Sequence, residues 1–166
     1  MHIYRELLDK IEGVFSSNQP KGVILTGIVG CGKTTLIEAA LKNLSPSYRI
    51  FKFSGDDSVF RRNVAEDSKY ILNAIRAETA KRSLVFVDEV QKSEAVFDAL
   101  KIIFDETKSS FIVSGSNPQY LCNNALKRMQ RRAEIIHMLP LSLSELMVHQ
   151  GLCSKQDTQL FNSFLF

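Results

Sequence analysis

Apolar residues recur along this chain in two alternating rhythms. Ile3, Leu7, Ile11, Val14 and Phe15 fall at helical spacing, and Asn18-Gln19-Pro20-Lys21-Gly22 breaks that helix. Gly22-Val23-Ile24-Leu25-Thr26 reads as a short buried strand. A glycine-rich loop follows, then a helix with Leu36, Ile37, Ala40, Leu41 and Leu44 on one face, ended by Ser45-Pro46. Tyr48 to Phe53 predicts a second strand, stopped by Ser54-Gly55-Asp56-Asp57, and one long polar-faced helical region is expected from about Ser58 to Ala80. Leu84-Val85-Phe86-Val87 is a wholly apolar third strand, and Val96, Phe97, Leu100, Ile103 and Phe104 mark the helix after it. Phe111-Ile112-Val113 is the fourth strand, and a helix opens near Asn117-Pro118 with proline at the first helical position. Glu134 to Leu139 is the fifth strand. Ser142-Leu143-Ser144-Glu145 is a capping box for a last short helix that Gly151 closes.

Strands that alternate with helices imply right-handed crossovers and a mostly parallel sheet covered on both faces, an α/β architecture. Ligands of such sheets bind outside the carboxyl ends of the strands. The glycine-rich loop, an acidic pair and a hydroxyl-rich turn each follow the end of an apolar strand, which argues for one shared site.

The loop runs Gly27-Ile28-Val29-Gly30-Cys31-Gly32-Lys33-Thr34-Thr35 and fits G-x-x-x-x-G-K-[ST] between its strand and its helix. Glycines let the backbone wrap a phosphate, so that successive N–H groups and the helix N-terminus face negative charge. Lys33 can reach the β- and γ-phosphates, and the Thr34 hydroxyl can sit on Mg²⁺. These features predict a nucleotide site.

Asp88-Glu89 comes directly off the third strand. Asp88 is placed to hold Mg²⁺ and to face Thr34, and Glu89 to orient or deprotonate water. A helix N-cap followed by a first-turn acid is the structural alternative. Gln91 can anchor either that water or Glu89. Ser114-Gly115-Ser116-Asn117 follows the fourth strand; Ser114 is the candidate γ-phosphate sensor, while Asn117 before Pro118 is a ready N-cap. Arg131 and Arg132 precede the fifth strand, where an arginine fork supplied by a neighbouring subunit can stabilise a transferring phosphoryl group. The alternative for adjacent arginines is a solvated surface. His2, His137 and His149 have no partners at metal-ligand spacing.

Composition narrows the setting. A length of 166 residues suits one domain with a sizeable core, and 45% hydrophobic with 23% charged residues suits a soluble one. The net charge of +3 is spread, with small basic clusters such as Arg61-Arg62 and Lys127-Arg128…Arg131-Arg132, so a nucleic-acid footprint is unsupported. Cys31, Cys122 and Cys153 are odd in number and far apart; no disulfide framework emerges, and a reducing cytoplasm is expected. No apolar stretch reaches the roughly 18 residues of a membrane span, and the N-terminus lacks a signal peptide's apolar region. Residues 1–151 read as the core. Residues 152–166 read as a tail crowded with Leu160, Phe161, Phe164, Leu165 and Phe166, which either meets a further C-terminal effector domain or folds back on the core.

Taken together, the chain resembles the AAA+ branch of P-loop ATPases. More narrowly, it is similar to the prokaryotic AAA-domain ATPases whose phosphate-loop domain is usually followed by a C-terminal domain of unknown function. The resemblance runs from about Tyr4 to Met147. It rests on Leu25-Thr26-Gly27 through Thr35, Asp56-Asp57, Val85-Phe86-Val87-Asp88-Glu89-Val90-Gln91, Ile112-Val113-Ser114-Gly115-Ser116, and Arg132 leading into Leu139-Pro140-Leu141-Ser142-Leu143-Ser144-Glu145. It implies a P-loop NTPase three-layer αβα sandwich with strand order 5-1-4-3-2, ATP/ADP and Mg²⁺ as ligands, ATP hydrolysis, and self-association with nucleotide. It makes Thr34 and Asp88 the metal-side residues, Glu89 the catalytic carboxylate, Ser114 the first sensor and Arg132 the finger candidate. The family often has Gly where this chain has Arg131, which leaves two arginines competing for that role. A nucleotide-gated binding module that hydrolyses weakly is the second reading. A small-molecule kinase is disfavoured by the lack of an arginine-rich lid and by Glu immediately after Asp88.

Overall fold

Where the chain is apolar on every residue, it lies in the middle of a sheet. The runs β1 (Gly22–Gly27), β3 (Arg82–Asp88) and β4 (Ser110–Gly115) are buried on both faces over most of their length. The strands β2 (Tyr48–Ser54) and β5 (Ala133–Met138), which carry exposed and half-buried residues, are the edges. The five strands are all parallel in the order β2-β3-β4-β1-β5, which is the expected 5-1-4-3-2 read from the other edge. The structure is a computed structural model and describes residues 6–17, 19–76 and 82–152. The apolar tail, the first residues of the N-terminal helix and the last residues of the expected 58–80 helical region lie outside the described residues.

Alternation along each strand divides the core into two layers. Val23 and Leu25 of β1, Leu84 and Phe86 of β3, and Ile112 of β4 face α1 (Glu6–Phe15) and α2 (Lys33–Leu44), meeting Ile11, Phe15, Ile37 and Leu41. Ile24, Val85, Val87, Phe111 and Val113 face the other way. They pack with α3 (Ser58–Glu66), α4 (Tyr70–Arg76), α5 (Ala95–Thr107) and α6 (Pro118–Arg128). The three-layer αβα sandwich follows. The short helix α7 (Leu143–His149) comes after β5, and its capping box forms as expected, with Ser142 Oγ accepting from the Glu145 N–H.

The single helix expected over 58–80 is instead two. Asp67 is extended, with φ −132° and ψ 104°, and its carboxylate accepts from the Lys69 N–H at 2.8 Å and from Asn73 Nδ2 at 3.3 Å. A short acid that hydrogen-bonds nearby backbone competes with the helix for those groups. Both halves still turn apolar residues to the same layer, Phe60 and Val64 from α3 and Ile71, Leu72 and Ile75 from α4. Periodicity alone therefore does not reveal the break.

Register sets where the site lies. Gly27 pairs with Met138, Thr26 with Gly115, Val87 with Val113 and Ser54 with Asp88. The carboxyl ends of all five strands thus share one edge of the sheet.

Candidate functional site

The loop between β1 and α2 turns on two glycines. Gly30 (φ 80°) and Gly32 (φ 93°) occupy the left-handed region, which costs other residues about 1–2 kcal/mol. Gly32 is the N-cap of α2 and has no side chain to close it, so the first N–H groups of the helix stay open to an anion. Ile28 and Val29 form the exposed crest. Lys33 is buried at 6% exposure, and its ammonium donates to the carbonyls of Gly27 at 2.9 Å and Ile28 at 3.0 Å. These two bonds hold the lysine against its own loop.

Asp88, at the end of β3, links that loop to β4. Its Oδ2 accepts the Thr34 hydroxyl at 2.9 Å, and its Oδ1 accepts the Ser114 hydroxyl and the Glu89 N–H at 3.0 Å. Ser114 is fully buried, so the structure places its hydroxyl on Asp88, where sequence reasoning aimed it at a γ-phosphate. Thr34 and Asp88 together offer the hard oxygens that suit Mg²⁺, which takes one or two protein ligands and completes its shell with phosphate and water. Among the described residues no cluster of three or more His, Cys, Asp or Glu side chains could hold a metal alone.

Glu89 follows with φ 49°, a left-handed conformation that costs a non-glycine residue about 1–3 kcal/mol. It starts a one-turn 3₁₀ helix, Val90–Lys92, yet its carboxylate makes no capping bond there. The amide of Gln91 donates to Glu89 Oε2, and the Ser116 hydroxyl donates to the same oxygen at 3.3 Å. Gln91 and Ser116 meet each other at 3.0 Å. Of the two partners the sequence leaves open to Gln91, the structure shows Glu89; the sequence does not assign Ser116 to Glu89, because the left-handed turn that joins them is one an acidic residue does not announce.

The loop after β2 closes the site's other side. Gly55 donates its N–H to the Asp88 carbonyl at 2.8 Å, Arg61 donates to the carbonyls of Gly55 and Asp56, and Lys92 pairs with Asp56. Asp57 caps α3, accepting from the N–H groups of Val59 at 2.8 Å and Phe60 at 3.3 Å. Asn117 caps α6 by accepting from the Tyr120 N–H.

Arg132 is elsewhere. Its carbonyl accepts from Gly22 N–H at 2.8 Å, at the start of β1, so it lies a strand's length, about 17 Å, from its own phosphate loop. Its guanidinium grips Asp105 through two bonds of 3.0 Å and thereby holds that carboxyl below its ordinary pKa. Arg131 beside it is exposed at φ 64°. Both border a cavity of about 390 Å³ with Lys21 and Glu134.

Comparison with known proteins bears on the family and the fold. A profile of the family described as AAA domain matches residues 19–147. No curated protein matches the sequence. Among solved structures, the S. cerevisiae Hsp104-ADP complex is similar, with a TM-score of 0.65 and 20% identity over 92% of this chain and 24% of that one. At that identity the likeness speaks to the fold, and the chain spans about a quarter of the Hsp104 chain.

Proposed function

The chain belongs to the AAA domain family of P-loop ATPases, and on that premise we propose that it binds ATP with Mg²⁺ and hydrolyses it to ADP and phosphate. The observation that carries the reading is the bonded series Thr34–Asp88–Ser114 at the mouth of an open phosphate loop, with Glu89 held beside it. The similar Hsp104 structure is a complex with ADP, which supports an adenine nucleotide.

In this mechanism the N–H groups from Gly27 to Thr35 bind the phosphates, and Lys33 exchanges the Gly27 and Ile28 carbonyls for phosphate oxygens. Bound Mg²⁺ supplies charge neutralisation at the β- and γ-phosphates. Thr34 and Asp88 would hold it, and Ser114 fixes Asp88. Glu89 accepts a proton from water as the water oxygen bonds to the γ-phosphorus and the bond to the bridging oxygen breaks, leaving ADP and phosphate. Arg132, from a neighbouring copy, stabilises the transferring group, so nucleotide promotes self-association. The exchange at Lys33 gives binding a conformational output, because the loop loses its own staple when phosphate arrives.

Glu89→Gln tests the reading. ATP affinity measured by calorimetry should hold, while phosphate release should fall by roughly 10²–10⁴, the usual contribution of a positioned base. Turnover that survives the substitution excludes Glu89 as the base. Phosphate found on an added acceptor instead of in water would make the protein a kinase.

A further inference from the structure

We propose that Gln91 is a positioning residue for hydrolysis, setting the carboxylate of Glu89 so that one oxygen is held and the other is presented to water. The proposal rests on the reading of Glu89 as the water-activating base. Residues two apart on a helix do not face each other. Here they meet because Glu89 is left-handed and the next turn is 3₁₀.

The bonding pattern is directional. A carboxylate only accepts, so the Gln91 nitrogen faces it. The two amide N–H groups go to Glu89 Oε2 and to Ser116 Oγ, and the Ser116 hydroxyl then donates to the same Oε2. Both donors converge on one oxygen. Among the described residues Glu89 Oε1 has no hydrogen-bond partner, so the ring fixes the rotation of the carboxylate and leaves Oε1 to accept from a water.

The seat of the amide is specific as well. A Cβ on Gly115 would lie 2.2 Å from Gln91 Oε1 and 2.9 Å from Leu121 Cδ1, so the amide rests against bare backbone at the end of β4. Gly115 stands between Ser114, which holds Asp88, and Ser116, which holds Glu89. One strand end therefore fixes both carboxylates. Gln91 Oε1 is buried and has no partner among the described residues. An apolar side chain of equal length would avoid that desolvation, so packing alone does not require an amide at this position.

Gln91→Met retains the length and removes the donors. In the 166-residue chain, kcat for ATP hydrolysis should fall about 30-fold, part of the roughly 10²–10⁴ a positioned base supplies. ATP affinity and Tm should stay at wild-type values. Gly115→Ala, which evicts the amide without touching Glu89, should lower kcat in the same way, and the double variant should be no slower than the slower single one. Should Gly115→Ala fail to fold, Gln91→Met decides. Wild-type kcat in Gln91→Met overturns the proposal, as does a loss of kcat that comes with equal losses of affinity and Tm, which marks a structural role. If Glu89→Gln stops turnover while Gln91→Met does not, only the positioning role fails. If Glu89→Gln turns over, the reading beneath it fails.

Discussion

Lys33 is a buried cation whose three donors are largely committed to the carbonyls of its own loop. Phosphate oxygens are better acceptors for an ammonium, and charge-assisted bonds of this kind contribute about 1.5–3 kcal/mol each. Lys33→Ala should therefore weaken ATP binding about 100-fold or more by calorimetry. Retained submicromolar affinity would sink the loop assignment. At this scale the legible residues were those whose place is dictated by spacing, the loop from Gly27 to Thr35 and the acids directly off an apolar strand. The illegible ones depended on dihedral angles. Ser114 and Ser116 found their partners, and Gln91 the choice between its two candidates, through the way β4 ends and through the positive φ of Glu89, and no residue type specifies either.

Among elements, the helices over 58–76 show how polar residues divide what apolar periodicity joins. Asp56-Asp57 reads in the sequence as the stop of the second strand and as part of the family resemblance, and in the structure Asp57 caps α3 and Asp56 pairs with Lys92. Nine residues further on from the start of α3, Asp67 ends the helix that Asp57 begins. Loss of an N-cap aspartate costs about 1 kcal/mol. Asp57→Ala should lower Tm by about 2–4 °C, the shift expected of a domain this size, with ATP affinity unchanged. Weakened ATP binding at an unchanged Tm would instead assign Asp57 to the site. The strands were easier to read, because a parallel sheet covered on both faces demands continuous apolar runs and tolerates little else.

The whole molecule has two poles, and the order of strands that creates them came from family resemblance, since apolar runs do not encode which strand lies beside which. Parallel strands carry the phosphate loop, Asp88 and Glu89 to one edge of the sheet and leave Arg132 at the other, beside the start of β1. No single copy can bring that arginine to its own nucleotide. A second copy can, if its amino-end edge faces the first copy's carboxyl-end edge. The Asp105 pair does not forbid this, because both partners are partly exposed and such pairs contribute about 0–1 kcal/mol. The prediction is complementation. Lys33→Ala chains bind ATP about 100-fold or more weakly but keep Arg132, while Arg132→Ala chains keep an intact loop, and each alone should be nearly inactive. Mixed in equal amounts at random, about one site in four pairs an intact loop with an intact arginine, so about a quarter of the wild-type rate should return. A mixture no faster than the sum of its parts would remove Arg132 from the reaction and leave it as the partner of Asp105.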